Sequence, residues 1–350
     1  MEKIRIIIWG FGAMGRGMAE MLLYKKGVQI VGICDLNPEY DKKNFLDILN
    51  VKSDHEPVII ESNIDLVLRS NAADVVLLCT DSFVKDAFDK IQKIVIQGMN
   101  CISTAEEMAY PYANEPRLAM QIDNLAKAYN VTVLGTGINP GFIMDLLVVA
   151  LTGTMVEVNH IEAKRVNSLS PFGPTVMREQ GVGITIGEYH KRLMDKKLAG
   201  HVGFKESVYM ISDALGVKLD GFNQQMEPII TEIDRNSKYG EALAGNLAGI
   251  NMTGQGLYNG DVFIDMIHPQ QIEPEMAGVQ TGDYINIQGI PNINMSITPE
   301  IQGGIGTIAM CVNMIPHVIN ARSGLKTMID LPVPRAVLGD MRDMIESDDE

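Results

Sequence analysis

The sequence predicts an α/β fold: a Rossmann doubly wound parallel sheet, then an α+β domain with an open mixed sheet. Three observations carry this. Over the first 135 residues, short and uniformly apolar β-branched runs alternate with longer helical stretches. A glycine-rich hexapeptide joins the first run to the first helical stretch. Past Gly135 the alternation stops, and strand-like runs follow one another between Gly, Asn, Pro and Gln.

The strands expected first are Ile4–Trp9, Gln29–Cys34, Val58–Glu61, Val75–Thr80, Asn100–Ser103 and Val131–Leu134. Runs apolar at every position suit strands buried on both faces, as in a parallel sheet covered by helices. Ala13–Lys26, Phe83–Gln97 and Glu115–Tyr129 are long enough for those helices, and Gly27 and Gly98 stand where C-cap glycines belong. Such alternation demands right-handed crossovers. The loop GTGINPG, Gly135–Gly141, leads into an apolar helix, Phe142–Leu151, and a long alternating strand, Val156–Val166. Strand-like runs fill Glu227 to Ile301, and Gly304–Asn320 reads as an apolar helix interrupted by Pro316. His317 beside it reads as a packing residue. The expected domains are 1–140, rejoined by 304–350, and a substrate-binding and oligomerisation domain, 141–303. The closing ESDDE is expected to be solvated and frayed.

Composition narrows the function. Asp plus Glu is 44 against 29 Lys plus Arg, a net charge of −15, which disfavours non-specific nucleic-acid binding. Four cysteines without a CxxC spacing suggest a reducing compartment and no disulfide framework. No apolar run approaches the ~18 residues of a membrane span, and the N-terminal run is too short for a signal peptide. A cytoplasmic, soluble protein is expected, so the N-x-S/T matches at Asn130, Asn251 and Asn294 carry no meaning. G-x-S-x-G, HExxH and Walker motifs are absent, and the six histidines lack metal-ligand spacing. No metal is expected.

Gly10-Phe11-Gly12-Ala13-Met14-Gly15 matches G-x-G-x-x-G directly after a strand and at the opening of a helix. In that context the glycines permit the turn, the approach of a pyrophosphate and close helix–strand packing. Free N–H groups and the positive helix end attract the anion. Asp35 ends the second strand about 20 residues on, where a carboxylate accepts from ribose hydroxyls and repels a 2′-phosphate. NAD is therefore expected, with NADP possible because Arg16 follows the last glycine. Thr80, Asp81, Ser103, Thr104 and Ala105 lie at two further strand ends and are expected over the cofactor. The plainer alternative there is helix capping, with Asp81 or Ser82 before Phe83, or Ser103 or Thr104 with Glu106 or Glu107.

The densest polar cluster is Lys164 to Thr175, where Arg165 and Asn167 share one face of a strand and Lys164 the other. An Arg fork suits a substrate carboxylate; a solvated strand edge is the alternative. Ser168, Ser170 and, in the 135–141 loop, Asn139 extend the substrate-binding set. His201, set among the glycines of GHVGF, is a candidate for the site or a structural histidine.

Taken together, IIIWGFGAMGRGMAEMLL, CISTAEEMAYP, VLGTGINPGFIMDLL, RVNSLSPFGP, AGHVGF and LKTMIDLPVP resemble the 2,4-diaminopentanoate dehydrogenases. These are a family in the dihydrodipicolinate-reductase-like group of NAD(P)-binding oxidoreductases, and the resemblance covers essentially the whole chain. It implies NAD(P)-dependent oxidative deamination at C4 of 2,4-diaminopentanoate in ornithine degradation. It implies also a C-terminal segment that returns to the first domain. Dihydrodipicolinate reductases carry a His-His pair and a Lys ahead of a D-A-P-S-G-T loop; here Ala163, Lys164 and Asn167 precede LSPFGPT. That difference argues for another amino acid. The base is expected among His201, Lys164 and Glu106. A homo-oligomer, dimer or tetramer, is expected because the open sheet needs a cover. The alternatives are another amino-acid or keto-acid dehydrogenase of the group, or a non-catalytic NAD-sensing regulator.

Overall fold

Ile4–Trp9 forms β1, and Gly10 ends it so that α1 (Ala13–Leu23) can begin. The computed structural model describes residues 2–346, so most of the tail expected to fray, 347–350, lies outside the described residues. The chain continues through β2 (Val28–Cys34), α2 (Phe45–Leu49), β3 (Ile60–Glu61), β4 (Val75–Leu78), α3 (Val84–Val95), β5 (Asn100–Ser103), α4 (Pro116–Ala128) and β6 (Thr132–Gly135). Next come α5 (Leu146–Thr152), β7 (Glu157–Ser168), α6 (Pro174–Glu179), α7 (Ile186–Met194), α8 (Phe204–Ala214) and β8 (Gly221–Ile230). The short β9 (Arg235–Asn236) and β10 (Glu241–Ala242) precede β11 (Leu247–Tyr258), β12 (Asp261–Gln271), β13 (Gly282–Ile290) and β14 (Ile293–Ile297). The chain closes with α9 (Gly303–Asn313), α10 (Ile315–Asn320) and β15 (Gly324–Lys326). It divides into two units, one of residues 1–142 with 303–350 and one of 143–302.

In the first unit seven strands pair in the order β15-β6-β5-β4-β1-β2-β3, every pair parallel. The order reverses between β1 and β4, which is the switch point of a doubly wound sheet. On one face Val76, Leu78 and Cys101 pack with Val84, Ile91 and Ile94 of α3 and Ala119 and Ile122 of α4. α1 packs closely on α9, with Gly17 against Ile308. Gly27 and Gly98 do take positive φ, +80° and +73°, past the first and third helices. The apolar helix near the end is divided at Met314, with Pro316 in the first turn of α10, where its missing N–H costs no hydrogen bond. β15 was not legible as a strand, since three residues carry no periodicity; it is defined by pairing Leu325 with Val133.

The second unit holds a six-stranded mixed sheet, β14-β13-β7-β12-β11-β8, in which only β7 and β12 run parallel. α8 covers one face, with Phe204 seated on Gly254 and Val208 on Gly256. The expected helix Phe142–Leu151 begins only at Leu146, because the Asp145 side chain accepts from the Leu146 N–H and so caps it there. Three helices, α6 to α8, occupy a stretch for which no element was expected. β8 starts at Gly221, six residues ahead of the expected first run. No helix among the described residues is long and apolar enough to cross a membrane.

Candidate functional site

The glycine loop emerges at the carboxyl end of β1. Gly10 has φ +97°, and a Cβ there would sit 2.7 Å from the carbonyl oxygen of Cys79. A Cβ on Gly15 would strike the carbonyl oxygen of Gly10, so α1 lies close against the turn. Gly12 differs: a Cβ would meet nothing within 4 Å. No protein atom demands glycine at that point, whereas a pyrophosphate approaching the backbone does. The residues present therefore fit a dinucleotide. Asp35 braces the loop, since one carboxylate oxygen accepts from the Phe11 N–H at 2.5 Å and the other from the Asn37 N–H at 2.8 Å. Each oxygen keeps acceptor capacity for a hydroxyl. Arg16 folds back, its Nε donating to the Gly12 carbonyl at 3.3 Å.

Two more strand ends stand beside this loop. Lys90 donates to both oxygens of Asp81 at 2.6 and 2.7 Å, and the Thr80 hydroxyl donates to Asp81 at 2.5 Å, so Asp81 is held in an ion pair. Ser103 Oγ accepts from the Ala105 N–H, and the Thr104 N–H donates to the Leu78 carbonyl, tying β5 to β4. The two glutamates that follow have separate duties. Glu107 accepts from the Val84 N–H at 2.8 Å and so caps α3, a role expected of Asp81 or Ser82. Glu106 accepts a hydrogen bond from Ser82, and its burial raises the carboxyl above the usual carboxylate range.

The loop after β6 is polar and incompletely paired. Thr136 Oγ1 and both amide atoms of Asn139 are shielded from solvent without a partner. A buried unpaired group costs about 1–3 kcal/mol, so such atoms mark a place where a ligand would supply the missing bonds. Gly10–Gly15, Asp35, Thr80, Asp81, Ser103–Glu106 and Asn139 thus all stand at carboxyl ends of one parallel sheet.

In the second unit Arg165 is 2% exposed, its guanidinium donating to Asp283 Oδ1 at 2.5 Å and to the Ile301 carbonyl. The fork expected to hold a substrate carboxylate is engaged by protein acceptors, Asp283 and the Ile301 carbonyl. Burial lifts Asp283, opposed by the charge of Arg165 and the Ile301 N–H, which donates to its other oxygen at 3.0 Å. Lys164 lies half-buried on the opposite side of β7, across from Tyr284, so the sheet separates it from Arg165.

His201 lies on the Arg165 side. Gly200 and Gly203 flank it with φ of +60° and +125°, which lets the chain turn tightly about the imidazole. Its ring stands edge-on to His268, 4.9 Å between centroids. Nδ1 of His268 is 2.7 Å from the Arg165 carbonyl and serves as the donor in the neutral ring. Burial, aided by the charge of Arg165, pushes His201 down to about 3, and His268 well below its usual value. Both rings are neutral near pH 7. His201 Nε2, Asn167 Oδ1 and Gln270 Nε2 are buried without partners, and Asn167 and Gln270 are opposite each other across β7 and β12. Ser168 Oγ accepts from the Ser170 N–H and Ser170 Oγ from the Glu273 N–H, so these serines shape the loop. Among the described residues no group of three or more His, Cys, Asp or Glu is placed to hold a metal.

Sequence reasoning missed His268, Gln270, Asp283 and Thr136. The alternation of Met266, His268 and Gln270 in β12 was the available signal: two polar residues on the face that also holds a core methionine.

Residues 142–347 match the family model described as the 2,4-diaminopentanoate dehydrogenase C-terminal domain. The 2,4-diaminopentanoate dehydrogenase of Acetoanaerobium sticklandii is 59% identical over 349 residues, 99% of both chains. Among solved structures, amine dehydrogenase from Mycobacterium smegmatis superposes with a TM-score of 0.84 at 25% identity, covering 96% of this chain and 98% of that one. Biliverdin reductase from Synechocystis sp. PCC 6803, solved with biliverdin and NADP+, shares the fold at 12% identity, 89% of each chain and a TM-score of 0.53.

Asp35→Ala should weaken dinucleotide binding by roughly ten- to a hundredfold, since a hydrogen bond to a charged group contributes about 1.5–3 kcal/mol. Calorimetry giving an unchanged affinity would remove Asp35 from the site. Asp283→Ala should lower stability by about 3–5 kcal/mol in urea unfolding, because Arg165 is left buried and uncompensated. The double variant Arg165→Met/Asp283→Leu should lose much less; an equal loss would mean that packing, not charge burial, governs this position.

Proposed function

From its membership of the 2,4-diaminopentanoate dehydrogenase family, we infer that this chain oxidatively deaminates 2,4-diaminopentanoate at C4. The substrate with its C4 ammonium, oxidised nicotinamide cofactor and water give 2-amino-4-oxopentanoate, ammonium, the reduced cofactor and a proton. When bound, the nicotinamide supplies the hydride acceptor; the protein supplies positioning and proton control.

One observation carries the assignment of roles. Glu106, a carboxyl with raised proton affinity, stands with the glycine loop and Asp35 at the carboxyl ends of one parallel sheet. The C4 amine must lose its proton before hydride can leave, and Glu106 is the group suited to accept it. An imidazole pushed down to about 3, as at His201, holds a proton too weakly for that task. Lys164 is on the other side of its sheet from the unpaired polar atoms. His201 is instead a neutral hydrogen-bonding group, and Arg165 fixes Asp283 and the backbone beside it. Within the second unit Asn167, Ser168 and Ser170 remain candidates for contact with the substrate, joined by Gln270; Asn139 is the candidate that the first unit offers. Asp35, with no basic neighbour in Leu36-Asn37-Pro38, favours NAD over NADP.

Turnover is tested by cofactor reduction with 2,4-diaminopentanoate, ornithine, lysine and diaminopimelate, each with NAD and with NADP. Turnover confined to 2,4-diaminopentanoate and faster with NAD is expected. Turnover of another member of the panel would favour a different amino-acid dehydrogenase, and cofactor binding without any turnover a regulator. Glu106→Gln should lower kcat by about 10²–10⁴-fold near neutrality. The base works only when ionised, so activity in the wild type falls as pH drops through the raised value. The deficit of the variant should shrink at high pH, where solvent deprotonates the amine. A pH-independent deficit would assign Glu106 a merely structural part.

A further inference from the structure

A second polar concavity lies within the first unit, on the segment that follows α9. It is a groove of about 430 Å³ lined by residues of α10, β15 and the stretch up to Glu346. The chain carries a net charge of −15, yet Arg322, Lys326 and Arg335 all line this groove, and none of the three side chains has an acidic partner among the described residues. Of the two carboxylates lining it, Asp330 accepts at one oxygen, Oδ2, from the N–H and hydroxyl of Thr327 at 2.8 Å each and keeps its charge. Two carboxylates against three cations leave the lining with a net positive charge, on a chain that is acidic overall.

His317 supplies the second, independent observation. Expected as a packing residue, it is 5% exposed, and its Nε2 is buried without a partner while lining the groove. Burial and the nearby charge of Arg335 lower its proton affinity, so the ring is neutral and free to present an N–H. The walls are built rather than loose. Asn320 clasps the far side, its amide donating to the Met344 carbonyl at 2.8 Å and its oxygen accepting from the Glu346 N–H at 3.1 Å. Pro332 and Pro334 stiffen the approach to Arg335. The buried Nε2 of His317 lacks a partner that an anion in the groove would supply, and the solvated cations around it attract one.

We propose that this groove binds a small multivalent anion, the phosphate or polycarboxylate group of a metabolite. Arg322, Lys326 and Arg335 supply the charge, and His317 Nε2 donates a hydrogen bond. The site is separate from the dinucleotide loop and does not depend on the reaction assigned above.

The test uses full-length protein saturated with NADH, so that the glycine loop is occupied, titrated with inorganic pyrophosphate or with citrate. A saturable rise in Tm of about 4 °C at a hundredfold excess over Kd is expected. A tighter response to pyrophosphate would assign the phosphate class, and a tighter response to citrate the polycarboxylate class. Arg322→Gln/Arg335→Gln should weaken the response at least about tenfold, while Arg178→Gln/Lys191→Gln, in another basic groove, should leave it unchanged. Should the first double variant fail to fold, Lys326→Gln reads the same question. No saturable response to either anion, or one that survives the Arg322/Arg335 changes, overturns the proposal.

Discussion

Seven strands that all run the same way impose one constraint from which the chemistry of the first unit follows. Strands covered on both faces leave no room for polar chemistry along their length, so polar groups appear where each strand ends. Gly10 follows Trp9, Asp35 follows Cys34, Thr80 and Asp81 follow β4, Glu106 follows β5, and Asn139 follows β6. Common direction gathers those endings on one edge. Partial burial there is also what raises Glu106, so the architecture that places the carboxyl sets its affinity for a proton.

The second unit meets a different constraint, the cost of a charge removed from water. Arg165 is tolerated in the interior because Asp283 and Ile301 complete its hydrogen bonds. Its charge then acts on its surroundings, helping to keep His201 and His268 neutral. What this leaves uncompensated is a set of neutral polar atoms, on His201, Asn167 and Gln270, rather than a free charge. Neutral donors and acceptors select by hydrogen-bond geometry rather than by charge.

The glycine loop and Asp35 were legible in the sequence because their geometry is local: spacing along the chain is spacing in space. The roles of Glu106 and Glu107 were not separable, since the helix that Glu107 caps begins 23 residues earlier. Arg165 was legible as a residue of consequence, but its partner lies 118 residues away and leaves no local mark. For the same reason the His201–His268 pair, drawn from a helix approach and a distant strand, stayed hidden. α6 was obscured by Pro171, Gly173 and Pro174, although Pro174 is its first residue, a position where proline is favoured.

The most direct measurement is the titration of Glu106 itself in the cofactor-saturated enzyme, by ¹³C resonance of its side-chain carboxyl, assigned by its loss in Glu106→Gln. The ring resonances of His201 would be followed in the same samples. A carboxyl that titrates above the ordinary glutamate value of about 4.3, with His201 silent through neutrality, is the predicted result. A carboxyl titrating at that ordinary value, with His201 taking up a proton near neutral pH, would contradict the account and move the base to the imidazole.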